Sequence, residues 1–406
     1  MHDEGSLTSG VEDGLKLARR MERLGTETAF SVLARAKALE AEGREIIHLE
    51  IGEPDFGTPA HVVEAGCRAL RDGHTYYTPT AGIPELREAI AEDISSSRGI
   101  QVRPEQVVVT PGGKPIMFFA ILALVDEGDE VLLPSPAFPI YESMVNFVGG
   151  KPVYVPLRQE NDFRFDPEEF EANLSERTRL VILNSPANPT GGVLTADDMA
   201  TLAGILREHP GVYVLSDEIY SRLLYTGEFS SIAGHDGLGP DRRTIILDGF
   251  SKTYAMTGWR LGYGVMPPDL AEQVAKLQVN SNSCTSAATQ HAGLAALQGP
   301  QDAVKEMLAE FRERRDQIVG GLNQLPGVEC ITPQGAFYAF PRITATGYTA
   351  GELADMLLDE VGVACLSGTA FGRYGEGHLR LSYANSRENI GRALDRMNEL
   401  LSRVIG

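Results

Sequence analysis

Short, almost wholly apolar runs recur along this chain: IIHL at 46–49, VVV at 107–109, EVLL at 130–133, VYV at 153–155, LVIL at 180–183, VYVL at 212–215 and IIL at 245–247. A strand with one wet face alternates apolar and polar residues. These runs do not alternate, and stretches with helical spacing separate most of them. The pattern predicts strands buried on both faces of a mostly parallel sheet, with helices on either side. After about residue 300 the character changes. A long charged helix over 303–325 precedes shorter strands at 337–340 and 379–382 and helices at 350–360 and 387–404. That order predicts a second, smaller α+β domain. Ahead of the first strand, 15–24 and 30–39 carry apolar residues at helical spacing, and 1–14 reads as a loose tail rich in Gly, Ser and acid.

Composition removes several classes of function. The chain has 406 residues, enough for more than one domain, with 43 % apolar and 23 % charged residues, as in ordinary globular proteins. Lys and Arg number 36 against 56 Asp and Glu, a formal charge of −20, which argues against a nucleic-acid partner. Cys67, Cys284, Cys330 and Cys365 are far apart and show neither zinc-ligand nor disulfide-framework spacing, so a reducing, cytoplasmic setting is expected. The acidic N-terminus does not read as a secretory signal, and no apolar stretch approaches the ~18 residues of a membrane span. The eight histidines fall in no metal-binding pattern, so no metal site is expected. G-x-S-x-G, G-x-G-x-x-G and the P-loop pattern are absent.

In open parallel sheets, ligands sit beyond the carboxyl ends of the strands. Here those ends lead into TPGGK (110–114), NSPANPTG (184–191), SDEIY (216–220) and DGFSK (248–252). One sheet edge therefore collects Gly112, Gly113, Asn188, Asp217, Tyr220 and Lys252. Each has two readings. Gly112-Gly113-Lys114 opens a helix whose free N–H groups suit a phosphate, and it reads equally as a glycine turn. NPTG is turn chemistry on its own. Asp217 is either a helix cap or a buried carboxylate facing a cationic ring nitrogen, and Tyr220 lies one helical turn beyond it. Lys252 is either a surface lysine or a nucleophile whose pKa is lowered by burial beside Arg260, itself a bidentate anion ligand. Arg380 lies in HLRLSY, with Arg380 and Ser382 on one strand face and Leu379 and Leu381 on the other; it is a solvent-facing charge or a carboxylate clamp.

Taken together, these pieces resemble the class I, aspartate aminotransferase-like family of pyridoxal-phosphate enzymes of fold type I. The lysine signature stands as Gly249, Phe250, Ser251, Lys252, then Arg260, Leu261, Gly262. GEPDF (52–56), YTPTAG (77–82), TPGGK, NSPANPTG, SDEIY, QGAFY (334–338) and RLSY (380–383) support it in chain order, from about residue 26 onward. The resemblance implies a mostly parallel seven-stranded type of sheet flanked by helices, with a smaller α+β domain. Its division would be a tail at 1–25, a segment at 26–55 contributing to the small domain, a cofactor-binding domain at 56–299 and the small domain at 300–406.

It also implies roles for matching positions. Lys252 would form a Schiff base with pyridoxal 5'-phosphate and move the substrate α-proton. Asp217 would keep the pyridine nitrogen protonated, and Tyr220 and Asn188 would hydrogen-bond the ring oxygen. Phe138 would stack on the ring; Gly112, Gly113, Lys114, Ser251 and Arg260 would hold the phosphate. Arg380 would grip the substrate α-carboxylate with Asn188 and the backbone at Gly52, and Phe138 would border the substrate. Tyr77 would reach the phosphate of a neighbouring subunit, which makes the expected state a homodimer with sites at the interface. The chain departs from relatives at Gly249, where many carry a serine, and at Ala137, where several carry a bulky aromatic. No basic residue for a substrate's side-chain carboxylate stands out in 115–125 or in SNSCTS (281–286), so an apolar, small or aromatic amino donor competes with aspartate. The expected reaction is ping-pong transfer of an amino group from an L-amino acid to a 2-oxo acid. The same cofactor and lysine would also serve β-elimination, and a non-catalytic regulatory protein would need a DNA-binding extension that the first 25 residues are too short and acidic to form.

Overall fold

The computed structural model describes residues 16–405. Its strands in chain order are β1 (Ile47–His48), β2 (Val107–Thr110), β3 (Glu130–Ser135), β4 (Lys151–Pro156), β5 (Thr178–Asn184), β6 (Tyr213–Asp217), β7 (Thr244–Gly249), β8 (Gly262–Val265), β9 (Tyr338–Ala339), β10 (Val363–Ala364), β11 (Leu366–Ser367) and β12 (Leu379–Ser382). Seven of them form one sheet in the order β2-β8-β7-β6-β5-β3-β4. Only β8 runs against its neighbours, β2 and β7; the other adjacent pairs are parallel.

Consecutive residues of these strands enter cores on opposite faces, which is why the runs do not alternate in polarity. Val108, Leu133 and Ile182 pack with Ile116 and Met144 on one face. Leu132 and Val181 pack with Phe170 and Leu202 on the other, and Val107 and Val109 pack there with Ile90 and Phe250. Both faces are thus removed from water by helices, as parallel strands require.

The first apolar run goes elsewhere. β1 pairs in parallel with β10, and Ile47 and Leu49 pack with Phe311, Leu353, Leu381 and Leu400. A separate antiparallel sheet, β11-β12-β9, lies in this same part of the molecule. The helical spacing expected over 15–24 yields only a 3-10 turn, Arg19–Arg23, with no buried residue. Without burial of an apolar face a ten-residue helix has little to hold it. The next helix runs Thr28–Ala41, and the later ones Asp302–Leu322, Ala350–Val361 and Arg387–Ile405. The tail expected at 1–14 lies outside the described residues. No helix among the described residues is long and apolar enough to cross a membrane.

β8, GYGV, is the one strand of the large sheet without an apolar run behind it. Its glycines explain its place. A Cβ on Gly262 would lie 2.4 Å from the Gly113 nitrogen and 2.5 Å from the Gly112 carbonyl carbon. Backbone thus packs on backbone where β8 passes the start of helix Lys114–Leu124. Gly262→Ala is expected to lower stability by about 2–3 kcal/mol, since neither partner is a side chain that can turn aside. A denaturant midpoint within error of the parent's would refute this.

Candidate active site

Three parallel strands, β5, β6 and β7, end side by side, and the chemistry starts where they stop. Asn184 and Asp217 are register partners at the ends of β5 and β6. The Asn184 amide donates to the Asp217 carbonyl at 3.2 Å, and its oxygen accepts the Asn188 N–H at 2.9 Å. Asp217 therefore anchors the NPTG loop through its backbone while its carboxylate points away. That carboxylate accepts the Tyr141 hydroxyl at 2.6 Å and the Ile219 N–H at 3.2 Å. Burial pushes its pKa up to about 6, against the pull of those two hydrogen bonds. A cation facing such a group favours its ionised form and brings its pKa back down. The chain after Asp217 forms a turn rather than a helix, so capping is not its role. Tyr220, on that turn, is buried and shares a 2.7 Å hydrogen bond with the Tyr338 hydroxyl.

Beneath these strand ends lies a buried charge cluster. Arg98 donates to Glu218 at 3.0 Å and to Asp248 at 2.8 Å, and all three side chains are almost fully enclosed. Asp248 also accepts the Gly249 N–H at 2.7 Å. The cluster thereby holds the chain on both sides of the site, next to Asp217 and at the start of the lysine turn.

Lys252 sits on the turn after β7. Its amine donates to the Gly52 carbonyl and lies 5.6 Å from the Phe337 ring centre and 5.9 Å from that of Tyr220. Burial lowers its pKa to about 8; Glu53 opposes the shift, and Arg380, Lys114 and Arg260 add to it. In cofactor-free protein an amine-directed reagent should modify Lys252 about tenfold faster per pH unit up to about 8 and no faster above it, whereas ordinary lysines keep accelerating towards about 10.4. Peptide mapping after labelling at several pH values checks this, and a Lys252 rate still climbing above pH 9 would refute it.

Arg260 lies eight residues beyond Lys252 with φ of 56°, an uncommon value for a residue with a side chain. The close passage of Gly112 makes room for it: a Cβ on Gly112 would be 2.2 Å from the Arg260 guanidinium. The guanidinium donates to the Thr257 carbonyl at 2.8 Å. Helix Lys114–Leu124 starts beside it with Gly113 at its N-cap and no side-chain cap. An uncapped helix start next to a guanidinium is an anion cradle. Ser251 and Gly113 line the same cavity. The glycine at 249 has a local cause: a Cβ there would meet the Gly262 Cα at 2.9 Å and the Leu261 carbonyl at 3.1 Å. A serine would crowd that contact between β7 and β8.

Arg380, on β12, is 3 % exposed, so the strand is buried on both faces rather than half wet. It donates to the Glu50 carbonyl and, at 3.4 Å, to the Asn188 side chain. Its guanidinium stacks 4.7 Å from the Tyr338 ring centre and 5.0 Å from that of Phe371. Among the described residues its Nε has no partner, and burial lowers its pKa. A buried cation with an open donor calls for an anion.

Asn188, Asp217, Tyr220, Lys252, Arg260 and Arg380 line one cavity of about 560 Å³, together with Gly52, Phe138 and Tyr338, while Gly112 and the Arg98 cluster lie behind its wall. Phe138 meets Tyr141 edge to face at 5.6 Å. Ala137 contributes its backbone, donating to the Phe371 carbonyl at 2.9 Å. Tyr77 is not part of the cavity of its own chain; it is 89 % exposed, beside Tyr76 at 85 %. The Lys114 side chain reaches into the cavity, 5.3 Å from the Phe138 ring centre, and pairs with Glu27. The cavity thus holds a basic side chain from the glycine turn, outside the segments 115–125 and 281–286. Tyr141, Asn184, Glu27 and Tyr338 carried no assigned role in the sequence. Tyr141 stands three residues past Phe138, a spacing that was available as a signal.

The residues fit pyridoxal phosphate. The uncapped helix start and Arg260 suit its phosphate, the buried Asp217 suits a protonated ring nitrogen, and the Lys252 amine is poised to lose its proton near neutral pH.

Comparison with known proteins agrees. Residues 44–397 match the family model described as aminotransferase class I and II. The probable aspartate/prephenate aminotransferase of Aquifex aeolicus is 40 % identical over 394 residues, covering 96 % of this chain and 99 % of the relative. Aromatic-amino-acid aminotransferase 2 of Thermococcus litoralis is 39 % identical over 391 residues, covering 95 % and 98 %. The crystal structure of the aspartate aminotransferase from Rhizobium meliloti superposes with a TM-score of 0.92 at 38 % identity, covering 96 % of this chain and all of that one. The chain thus belongs to the class I and II aminotransferases, as a fold type I, pyridoxal-phosphate-dependent enzyme that passes an amino group between an L-amino acid and a 2-oxo acid.

Proposed function

We propose that Lys252 is the nucleophile and proton carrier, Asp217 the counter-charge to the ring nitrogen, and Arg380 the α-carboxylate clamp of this aminotransferase. The observation that carries this reading is the meeting of a poised amine, a buried carboxylate and a buried guanidinium in one cavity. When bound, pyridoxal phosphate supplies an aldehyde for the amine and a ring that takes up electrons from the substrate α-carbon. Gly113, Lys114 (through its backbone), Ser251 and Arg260 would hold its phosphate, with Gly112 leaving room for the Arg260 guanidinium; Phe138 would stack on the ring, and Tyr220 and Asn188 would face the ring oxygen. Tyr141 holds Asp217 in position. Arg380, Asn188 and the backbone at Gly52 bind the α-carboxylate and so present the α-hydrogen to Lys252, whose amine already rests on Gly52.

The exposed Tyr77 supports a homodimer in which it crosses to the partner's phosphate site. The division at 26–55, 56–299 and 300–406 suits a cofactor body and a smaller substrate-gripping body, with Arg380 on the latter. Phe30, Ile51, Phe138 and Phe371 give the cavity an apolar lining that suits apolar or aromatic donors, while Lys114 suits a dicarboxylic one. The relatives' names, aspartate/prephenate and aromatic amino acid, span the same range.

The test mixes amino acids one at a time with cofactor-loaded protein and follows absorbance. Each donor should shift the cofactor spectrum in a single half-reaction, and a 2-oxo acid should restore it. Lys252→Ala should abolish this half-reaction and Arg380→Ala should raise the concentration of every donor it needs; a variant that behaves like the parent would sink the role proposed for its residue.

A further inference from the structure

Glu27 is an acid in a cavity built to receive acids. Its carboxylate pairs with the Lys114 amine, and both side chains line the cavity. It stands at the N-cap of helix Thr28–Ala41, where an acid would ordinarily accept that helix's free N–H groups. It makes no such bond; the side chain turns to Lys114 instead. Its charge is felt at both Tyr338 and Arg380, so it lies in the field of the guanidinium proposed to grip the α-carboxylate. The segment ahead of it is held to helix Ile140–Val148 by hydrogen bonds between Gly25 and Ser143 and from Arg23 to the Phe147 carbonyl.

We propose that Glu27 acts as an internal stand-in for the second carboxylate of a dicarboxylic substrate, occupying Lys114 until such a substrate displaces it. This deepens the reading above and rests on Arg380 taking the α-carboxylate. With an apolar donor the pair stays closed, and the Lys114 cation remains compensated over the Phe138 ring. With a dicarboxylic donor, carboxylate replaces carboxylate on the same amine, so the substrate gains only the difference between two similar ion pairs. Glu27 gives up no helix cap when it swings out. It therefore sets the ratio of acidic to apolar substrates rather than excluding either.

The test uses the holoenzyme and two unreactive ligands, succinate and 3-phenylpropanoate, titrated by calorimetry. Glu27→Gln should tighten succinate relative to 3-phenylpropanoate by about tenfold, the scale of one charge-assisted hydrogen bond freed from competition. The kcat/KM ratio of aspartate to phenylalanine should rise by a similar factor, mainly through the aspartate KM. Lys114→Gln should weaken succinate selectively, and in that background Glu27→Gln should leave the ratio unmoved. An equal change for both ligands in Glu27→Gln, or a shift that survives Lys114→Gln, overturns the stand-in role. Arg380→Ala separates the underlying reading: if it leaves both ligands bound as before, the α-carboxylate clamp is wrong and the inference falls with it. If it weakens both while Glu27→Gln changes nothing, the clamp stands and only the stand-in fails.

Discussion

Lys252→Ala is expected to lower turnover by at least about 10⁴-fold with every donor, because one change removes both the nucleophile and the group that carries the α-proton. Among the described residues there is no nearby substitute. Lys114 is tied to Glu27 and Arg260 to the Thr257 carbonyl, and a guanidinium does not give up its proton in this range. Cofactor should still bind through Arg260 and the helix start, but borohydride should no longer fix a pyridoxyl group on the protein. The half-reaction with a good donor, followed by rapid mixing, is the measurement. Residual turnover within a hundredfold of the parent would mean that another base serves.

Asp217→Asn should cost on the order of 10²–10³ in kcat, the range found where one preorganised group facing developing charge is removed. Asparagine keeps the size and can still accept from Tyr141, so KM should change little. The pH dependence gives an independent readout. In cofactor-free protein Asp217 holds its proton to about 6, whereas an unfolded aspartate loses it near 3.9. Between those values the folded state binds more protons, so the group's contribution to stability falls as pH rises through this window and is flat above it. Asp217→Asn should erase that slope. Denaturant midpoints at pH 4 to 7 for both proteins would show it, and parallel curves would count against the buried acid.

How much of this was legible in the sequence depended on whether the signal was local. Strands at 107–109, 130–133, 180–183 and 245–247 announced themselves because burial on both faces leaves a continuous apolar run. β8 did not, because GYGV is chosen for close backbone approach and glycine carries no strand preference. The run at 46–49 looked like its fellows but pairs with Val363–Ala364, since a two-residue strand has no pattern that names its partner. At the site, Asp217, Lys252 and Asn188 follow strands directly, so their place on one edge could be inferred from topology. Glu27 reaches the cavity from a helix start far away in the chain, and only folding brings it there, while Tyr141 was signalled only by its place one helical turn past Phe138.

Arg98 bridging Glu218 and Asp248 has a consequence for how this scaffold can change over generations. Losing the arginine alone would strand two acids in the interior, and losing either acid alone would strand part of a cation; each step costs about 3–5 kcal/mol. Routes to a different arrangement must therefore pass through deep valleys or alter several positions together. The floor beneath Asp217 and Gly249 therefore resists single substitutions, whereas at the half-open Glu27–Lys114 pair one side chain can be exchanged without stranding a fully enclosed charge.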